Sequence, residues 1–376
     1  MRGAAGLNLP LRGAPGSRND LETPALLLDL EVFEANIAAM ASMTKANNQG
    51  LRPHAKTHKC ATIARHQLEA GALGIACAKS GELLALFKAG IRPLMLTAPL
   101  ASPLKIARLA EAAAAGCALT VVVDRQDLVA AFGSAARSAG AVIEVLVDVD
   151  CGLGRLGVTT PEGAVALARA IAAEPGLSYA GVQAYAGQVQ HIHALAARRA
   201  ANRTAGALLA PILAALRNAG LPPRIVTGGG SGSAAIDGED GLFTEIQAGS
   251  YVFMDEGYRP VEGLNFGFAL FVAVSVIGHS NNGEAIIDAG SKSFAIDGPP
   301  PMAHIDGVRV GTIAWAGDEF GRLITDPGRS PPPVGTRIEC TVPHCDPTAN
   351  LHDYLHVVRG QRLIDFWPIE ARGLSD

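Results

Sequence analysis

The run Leu51-Arg52-Pro53-His54-Ala55-Lys56-Thr57-His58-Lys59 places a lysine where a short apolar strand runs out, in a chain with only seven lysines. A lysine in that position can serve as a Schiff-base partner. In extended backbone Arg52, His54 and Lys56 share one face, because strand side chains alternate with period two. A core strand tolerates three cationic groups where they meet a buried anion or a cofactor; the other reading is an exposed edge strand.

Outward from this run, short apolar stretches at 24–30, 51–56, 73–78, 94–98, 119–124, 142–148, 179–185, 224–229 and 244–250 alternate with helical patterns such as Phe33, Ile37 and Met40. That alternation predicts βα units around a parallel sheet. The stretches exceed by one the eight strands a (β/α)8 barrel needs. If the first belongs elsewhere, Lys56 ends the first barrel strand. The Gly-rich segment Thr227-Gly228-Gly229-Gly230-Ser231-Gly232-Ser233 then follows the seventh strand, and the eighth ends near Gly249-Ser250-Tyr251. From about residue 256 the helical pattern gives way to short strand-like runs at 272–277, 285–288, 308–313, 337–342, 356–359 and 363–367, separated by Gly, Pro, Asn and Asp. The expected organisation is an α/β TIM-like barrel over 23–255 and a β-rich domain over 256–376. Residues 1–22 form a loose arm able to join the second.

Composition narrows the partners. Hydrophobic residues make up 49% of the chain and charged ones 18%, mean hydropathy is +0.24, and the net charge is −4 with a pI near 6.2. A chain of this kind builds a large core and carries no basic footprint for nucleic acid or an anionic membrane. The longest apolar stretch, 266–278, is too short to span a bilayer and reads as a buried strand. The expected ligand is therefore small. Cys60, Cys77, Cys117, Cys151, Cys340 and Cys345 show no CxxC pairing and follow no secretory leader, which fits reduced thiols and a cytoplasmic protein.

Four clusters carry chemistry. The Gly-rich run lacks the lysine of a Walker loop and the GxGxxG register, so it fits a phosphate monoester, or serves only as a loop across the barrel mouth. A phosphate site of this kind together with a strand-end lysine matches pyridoxal 5′-phosphate, whose aldehyde needs an amine and whose phosphate needs N–H donors. Arg155, in Asp148-Val149-Asp150-Cys151-Gly152-Leu153-Gly154-Arg155, can donate to a phenolate or carboxylate, or bridge to Asp148 or Asp150. Tyr185 ends a strand on the active side of the barrel, and His191 in the following loop is a candidate base or a solvated histidine. His344 and Asp346 stand two apart. In extended backbone they share a face and can chelate a divalent cation, with a hydrogen-bonded surface turn as the alternative.

Together these residues resemble the D-threonine aldolase and D-serine dehydratase family, whose barrel is of alanine-racemase type. The similarity spans nearly the whole chain, from Thr23-Pro24-Ala25-Leu26-Leu27-Leu28-Asp29 through the Lys56 run, Arg155, Gln183 to His191, Gln247 to Asp255 and Asp288-Ala289-Gly290 to the 344–346 cluster. The resemblance implies that Lys56 carries pyridoxal phosphate, Arg155 binds its phenolic oxygen, and Tyr185 lies beside its ring. It implies phosphate binding by Gly228 to Ser231 and by Gly249, Ser250 and Tyr251, with Thr227 leading the loop. Aldolases of the family present His-x-Asp where dehydratases present His-x-Cys, so Asp346 favours aldolase action on D-threonine and related D-β-hydroxy-α-amino acids. The expected metal is manganese, with zinc, cobalt or magnesium as alternatives, and the expected assembly is a homodimer. The rival activities are D-serine or 3-hydroxyaspartate dehydration and 3-hydroxy-D-aspartate cleavage. A pyridoxal-phosphate carrier is the reading without catalysis. Phe320 occupies the place where aldolase relatives often carry histidine.

Overall fold

A computed structural model describes residues 3–376, so residues 1 and 2 of the expected arm lie outside the described residues. Eight parallel strands form one sheet, in the order Gly50–Leu51, Glu245–Ile246, Ile225–Gly228, Leu177–Ala184, Ile143–Val149, Leu119–Val123, Leu94–Leu96 and Ile75–Cys77. A bridge from His54 to Ala76 joins its two edges. Helices fill the connections, several started by side chains that satisfy free N–H groups: Ser102 caps Pro103–Ala114 and Thr160 caps Pro161–Ala173, each with proline in the first turn. The strands are Val-, Leu- and Ile-rich and largely buried, as a sheet covered on its outer face by helices requires.

The first apolar stretch does lie elsewhere. Ala25–Asp29 pairs antiparallel with Leu270–His279 and parallel with Tyr354–Arg359, in a nine-stranded sheet otherwise built from residues after 269. The chain thus lays one strand in this sheet before entering the barrel, and Asp29 turns it by capping the helix Leu30–Ala46. Met302–Ile305 and Gly321–Thr325 are strands that the sequence alone does not predict. One follows three prolines and the other opens on a glycine, both signals of a loop. One core cluster joins the two units, with Leu26, Phe33, Tyr251, Phe253, Leu270 and Ile338 all buried in it.

Two local expectations need correcting. The first barrel strand stops at Leu51, and Ala55–Thr57 is a short 3-10 turn. Pro53 has no N–H to give a ladder, and the His54 ring accepts the Lys56 N–H at 3.3 Å, which bends the chain. Arg52, His54 and Lys56 therefore make no single basic face: Arg52 grips Glu245 through two bonds of 2.7 and 3.0 Å, and His54 meets Thr97 at 3.0 Å. The second correction is at 344–346, which is not extended, since His344 precedes the helix Cys345–Leu351. All six cysteines are buried and free, and no helix among the described residues is long and apolar enough to cross a membrane.

Candidate active site

A cavity of about 350 Å³ opens at the C-terminal end of the parallel strands, where the loops after them converge. Lys56 lies in it, and its ammonium forms an ion pair with Asp346, which the 345–351 helix brings in from the other unit. Both groups are desolvated, yet their mutual attraction outweighs burial. It raises the ammonium above its ordinary value and holds the Asp346 carboxyl well below the usual carboxylate range.

Of the residues expected from sequence, the cavity wall includes Lys56, Arg155, Tyr185, His191, Gly230, Ser231, Gly249, Ser250 and His344. Thr227, Gly228, Gly229 and Tyr251 are buried behind it. Gln247 Nε2 donates to Thr227 Oγ1 at 3.0 Å, and the Tyr251 N–H donates to Ser231 Oγ at 2.9 Å, so these residues shape the loops from within. The loops demand glycine where they pack against neighbouring side chains. A Cβ on Gly249 would come within 2.6 Å of Thr57 Oγ1, and one on Gly230 within 2.5 Å of Gln190 Oε1.

Arg155 is exposed at the rim, its guanidinium carbon 5.9 Å from the Tyr185 ring centroid. Neither Asp148 nor Asp150 holds it in an ion pair, among the described residues; Asp150 instead accepts the Gly152 and Gly154 N–H groups. Asp148 is buried on the wall, accepts from Gln183 Nε2 at 2.8 Å, and is raised by burial to about 7. His191 packs on Tyr258, with ring centroids 4.3 Å apart. Burial lowers its imidazole, partly offset by Asp255. His344 hydrogen-bonds Asp297 at 2.9 Å. No group of three or more His, Cys, Asp and Glu side chains is arranged around a common point among the described residues.

The sequence missed Tyr258, Asp297 and Thr97, none of which stands in a telling pattern. Gln183 and Gln247 could have been found: each sits at the end of a barrel strand, and they bond each other at 3.1 Å below the cavity. Phe320, exposed on a turn of the second unit, does not line the cavity.

Residues 28–257 match the family model for the alanine racemase N-terminal domain, and residues 269–358 match a serine dehydratase domain model. A D-threonine aldolase of Arthrobacter sp is 40% identical over 375 residues, covering 98% of each chain. The chain belongs to the D-threonine aldolase and D-serine dehydratase family. A 3-hydroxy-D-aspartate aldolase of Paracoccus denitrificans is 34% identical, over 96% of this chain and 94% of its own length. The crystal structure of a D-threonine aldolase from Filomicrobium marinum superposes with a TM-score of 0.90 at 38% identity, covering 95% of this chain and 98% of that one.

The cavity suits the cofactor of such a family. It offers one amine at Lys56, a cation at Arg155, an aromatic ring at Tyr185, and two backbone loops that reach the wall at Gly230, Ser231, Gly249 and Ser250.

Proposed function

We propose that this protein is a metal-activated, pyridoxal-phosphate-dependent carbon–carbon lyase that cleaves D-threonine and related D-β-hydroxy-α-amino acids to glycine and an aldehyde. The observation that carries the reading is the Lys56–Asp346 pair: the amine that would hold the cofactor stands against the carboxylate of the His-x-Asp cluster. Lys56 would bond pyridoxal phosphate, Arg155 its phenolic oxygen, and the Gly228–Ser231 and Gly249–Tyr251 loops its phosphate. Bound there, the cofactor supplies an electron sink for the pair released when Cα–Cβ breaks. His344 and Asp346 would hold a divalent ion, one nitrogen and one oxygen donor suiting manganese or zinc with water completing the shell, and the ion supplies a Lewis acid for the β-hydroxyl.

The chain's own residues do the rest. His191, set against the Tyr258 ring at a 37° tilt and with its imidazole lowered by burial, takes the β-hydroxyl proton as the carbonyl of the leaving aldehyde forms. Asp297 orients the His344 ring from its far side, as a carboxylate commonly does for a ligating histidine. A homodimer belongs to the same reading by family resemblance, and a cytoplasmic setting by its six free cysteines.

The test is incubation of the purified protein with D-threonine, pyridoxal phosphate and Mn²⁺, with and without chelator, measuring acetaldehyde, glycine and ammonia together. Aldehyde with equimolar glycine, lost on chelation, is the expected result. Ammonia and a keto acid without aldehyde would move the protein to the dehydratase branch. No product from any D-hydroxyamino acid, with cofactor absorbance intact, would leave the carrier reading.

A further inference from the structure

Between His191 and the His344 segment lies a carboxylate that the reaction as proposed does not use. Asp255 is 1% exposed and spends both oxygens on backbone N–H groups: Oδ1 accepts from Tyr258 at 3.1 Å, and Oδ2 from Cys345 at 2.9 Å, ninety positions along the chain. The first bond closes a local turn. The second crosses to the other unit at the residue between His344 and Asp346, and a turn has no need of it. Burial raises this carboxyl above its ordinary value, an expense a surface loop would avoid.

The backbone beside it is also committed. Met254 is left-handed at φ 52°, a conformation that costs a non-glycine residue about 1 kcal/mol and turns Asp255 inward. Glu256 N–H donates to Val342 O at 3.0 Å and Gly257 N–H to Pro343 O at 3.3 Å, so residues 256–257 run alongside 342–343. Tyr258, whose N–H Asp255 holds, carries the ring against which His191 stacks.

We propose that Asp255 is a positioning residue that fixes His191, through Tyr258, in register with His344 and Asp346. It rests on the reading of those three residues given above. Asp255 touches neither substrate nor cofactor; it acts through two amides that carry the opposed walls of the cavity. In Asp255→Asn one acceptor becomes an NH₂ donor facing an N–H group, so one of the two ties is lost while the volume is kept.

The experiment compares the parent, Asp255→Asn and Glu256→Gln. Glu256 also ties the two segments, through Thr341 Oγ1, but holds neither the Tyr258 nor the Cys345 amide. In Asp255→Asn, kcat and Mn²⁺ affinity measured by electron paramagnetic resonance should each fall about 10- to 100-fold, the usual effect of removing a group that orients a metal site. The pyridoxal-phosphate dissociation constant, read by absorbance, and KM should stay close to the parent's, and Glu256→Gln should keep kcat and Mn²⁺ affinity. Unchanged kcat and metal affinity in Asp255→Asn would overturn the assignment. So would an equal loss in Glu256→Gln, or a loss of cofactor and metal binding in step with the melting temperature, since those mark general stapling. A parent that binds Mn²⁺ and pyridoxal phosphate but makes no aldehyde defeats the functional reading itself, and this assignment with it.

Discussion

Lys56 and Glu82 show how differently two ionisable side chains can be used. Lys56 has its counter-ion in Asp346 and a cavity before it. Replacing it with alanine removes the only amine expected to bond the cofactor, so borohydride-trapped pyridoxyl label should vanish and aldehyde formation should fall at least about 10³-fold, by the scale of lost nucleophilic catalysts. Glu82 is fully buried on the helix Ser80–Lys88, and burial raises it to about 7. Its folded-state value lies above the unfolded one, so the folded protein holds the proton more tightly, and stability falls as pH rises from about 4.5 through 7. Glu82→Gln should therefore gain on the order of 2 kcal/mol relative to the parent at pH 8 over its difference at pH 5, in urea titrations at both values. Equal differences at the two pH values would refute a raised Glu82 carboxyl. Lys56 was legible in the sequence because a strand-end lysine is rare and chemically pointed. Glu82 was not, since a glutamate in the first turn of a helix ordinarily faces water.

At the scale of elements, Arg52 and Glu245 illustrate what period-two reading can and cannot give. Both are buried, and their bidentate contact ties the strands Gly50–Leu51 and Glu245–Ile246, the first and last of the parallel sheet. From sequence Arg52 looked like part of a basic face toward a ligand. Its anion was a glutamate 193 positions later, which no local pattern reveals. Arg52→Met should cost about 3–5 kcal/mol in chemical denaturation, because it strands a buried carboxylate, and Arg52→Met with Glu245→Leu should recover most of that loss. A single variant no less stable than the double would contradict the pairing. The 344–346 segment failed for a related reason. Its two-apart spacing was read in extended backbone, whereas the helix from Cys345 swings Asp346 to Lys56 and leaves His344 on the wall with Asp297.

At the scale of the molecule, the active cavity belongs to neither unit alone. The barrel supplies Lys56, Arg155, Tyr185 and the two glycine loops, while Tyr258, His344 and Asp346 come from beyond the barrel's last strand. The strand Ala25–Asp29 lies in the second sheet before the barrel begins, and Arg18, which binds both Asp29 and Glu339, ties the N-terminal arm to that sheet. This division predicts that metal and cofactor can be separated. The groups expected to hold pyridoxal phosphate are barrel groups, and those expected to hold the ion lie on the second unit. Dialysis against EDTA should therefore abolish aldehyde formation while leaving the cofactor's absorbance and the thermal midpoint nearly unchanged, and Mn²⁺ should restore turnover. His344→Ala should behave as the chelated parent does at sub-saturating Mn²⁺, with about 10- to 100-fold weaker metal dependence and unaltered cofactor binding. Loss of the cofactor together with the metal would mean that the ion holds the two units in register and does not act on the substrate hydroxyl alone.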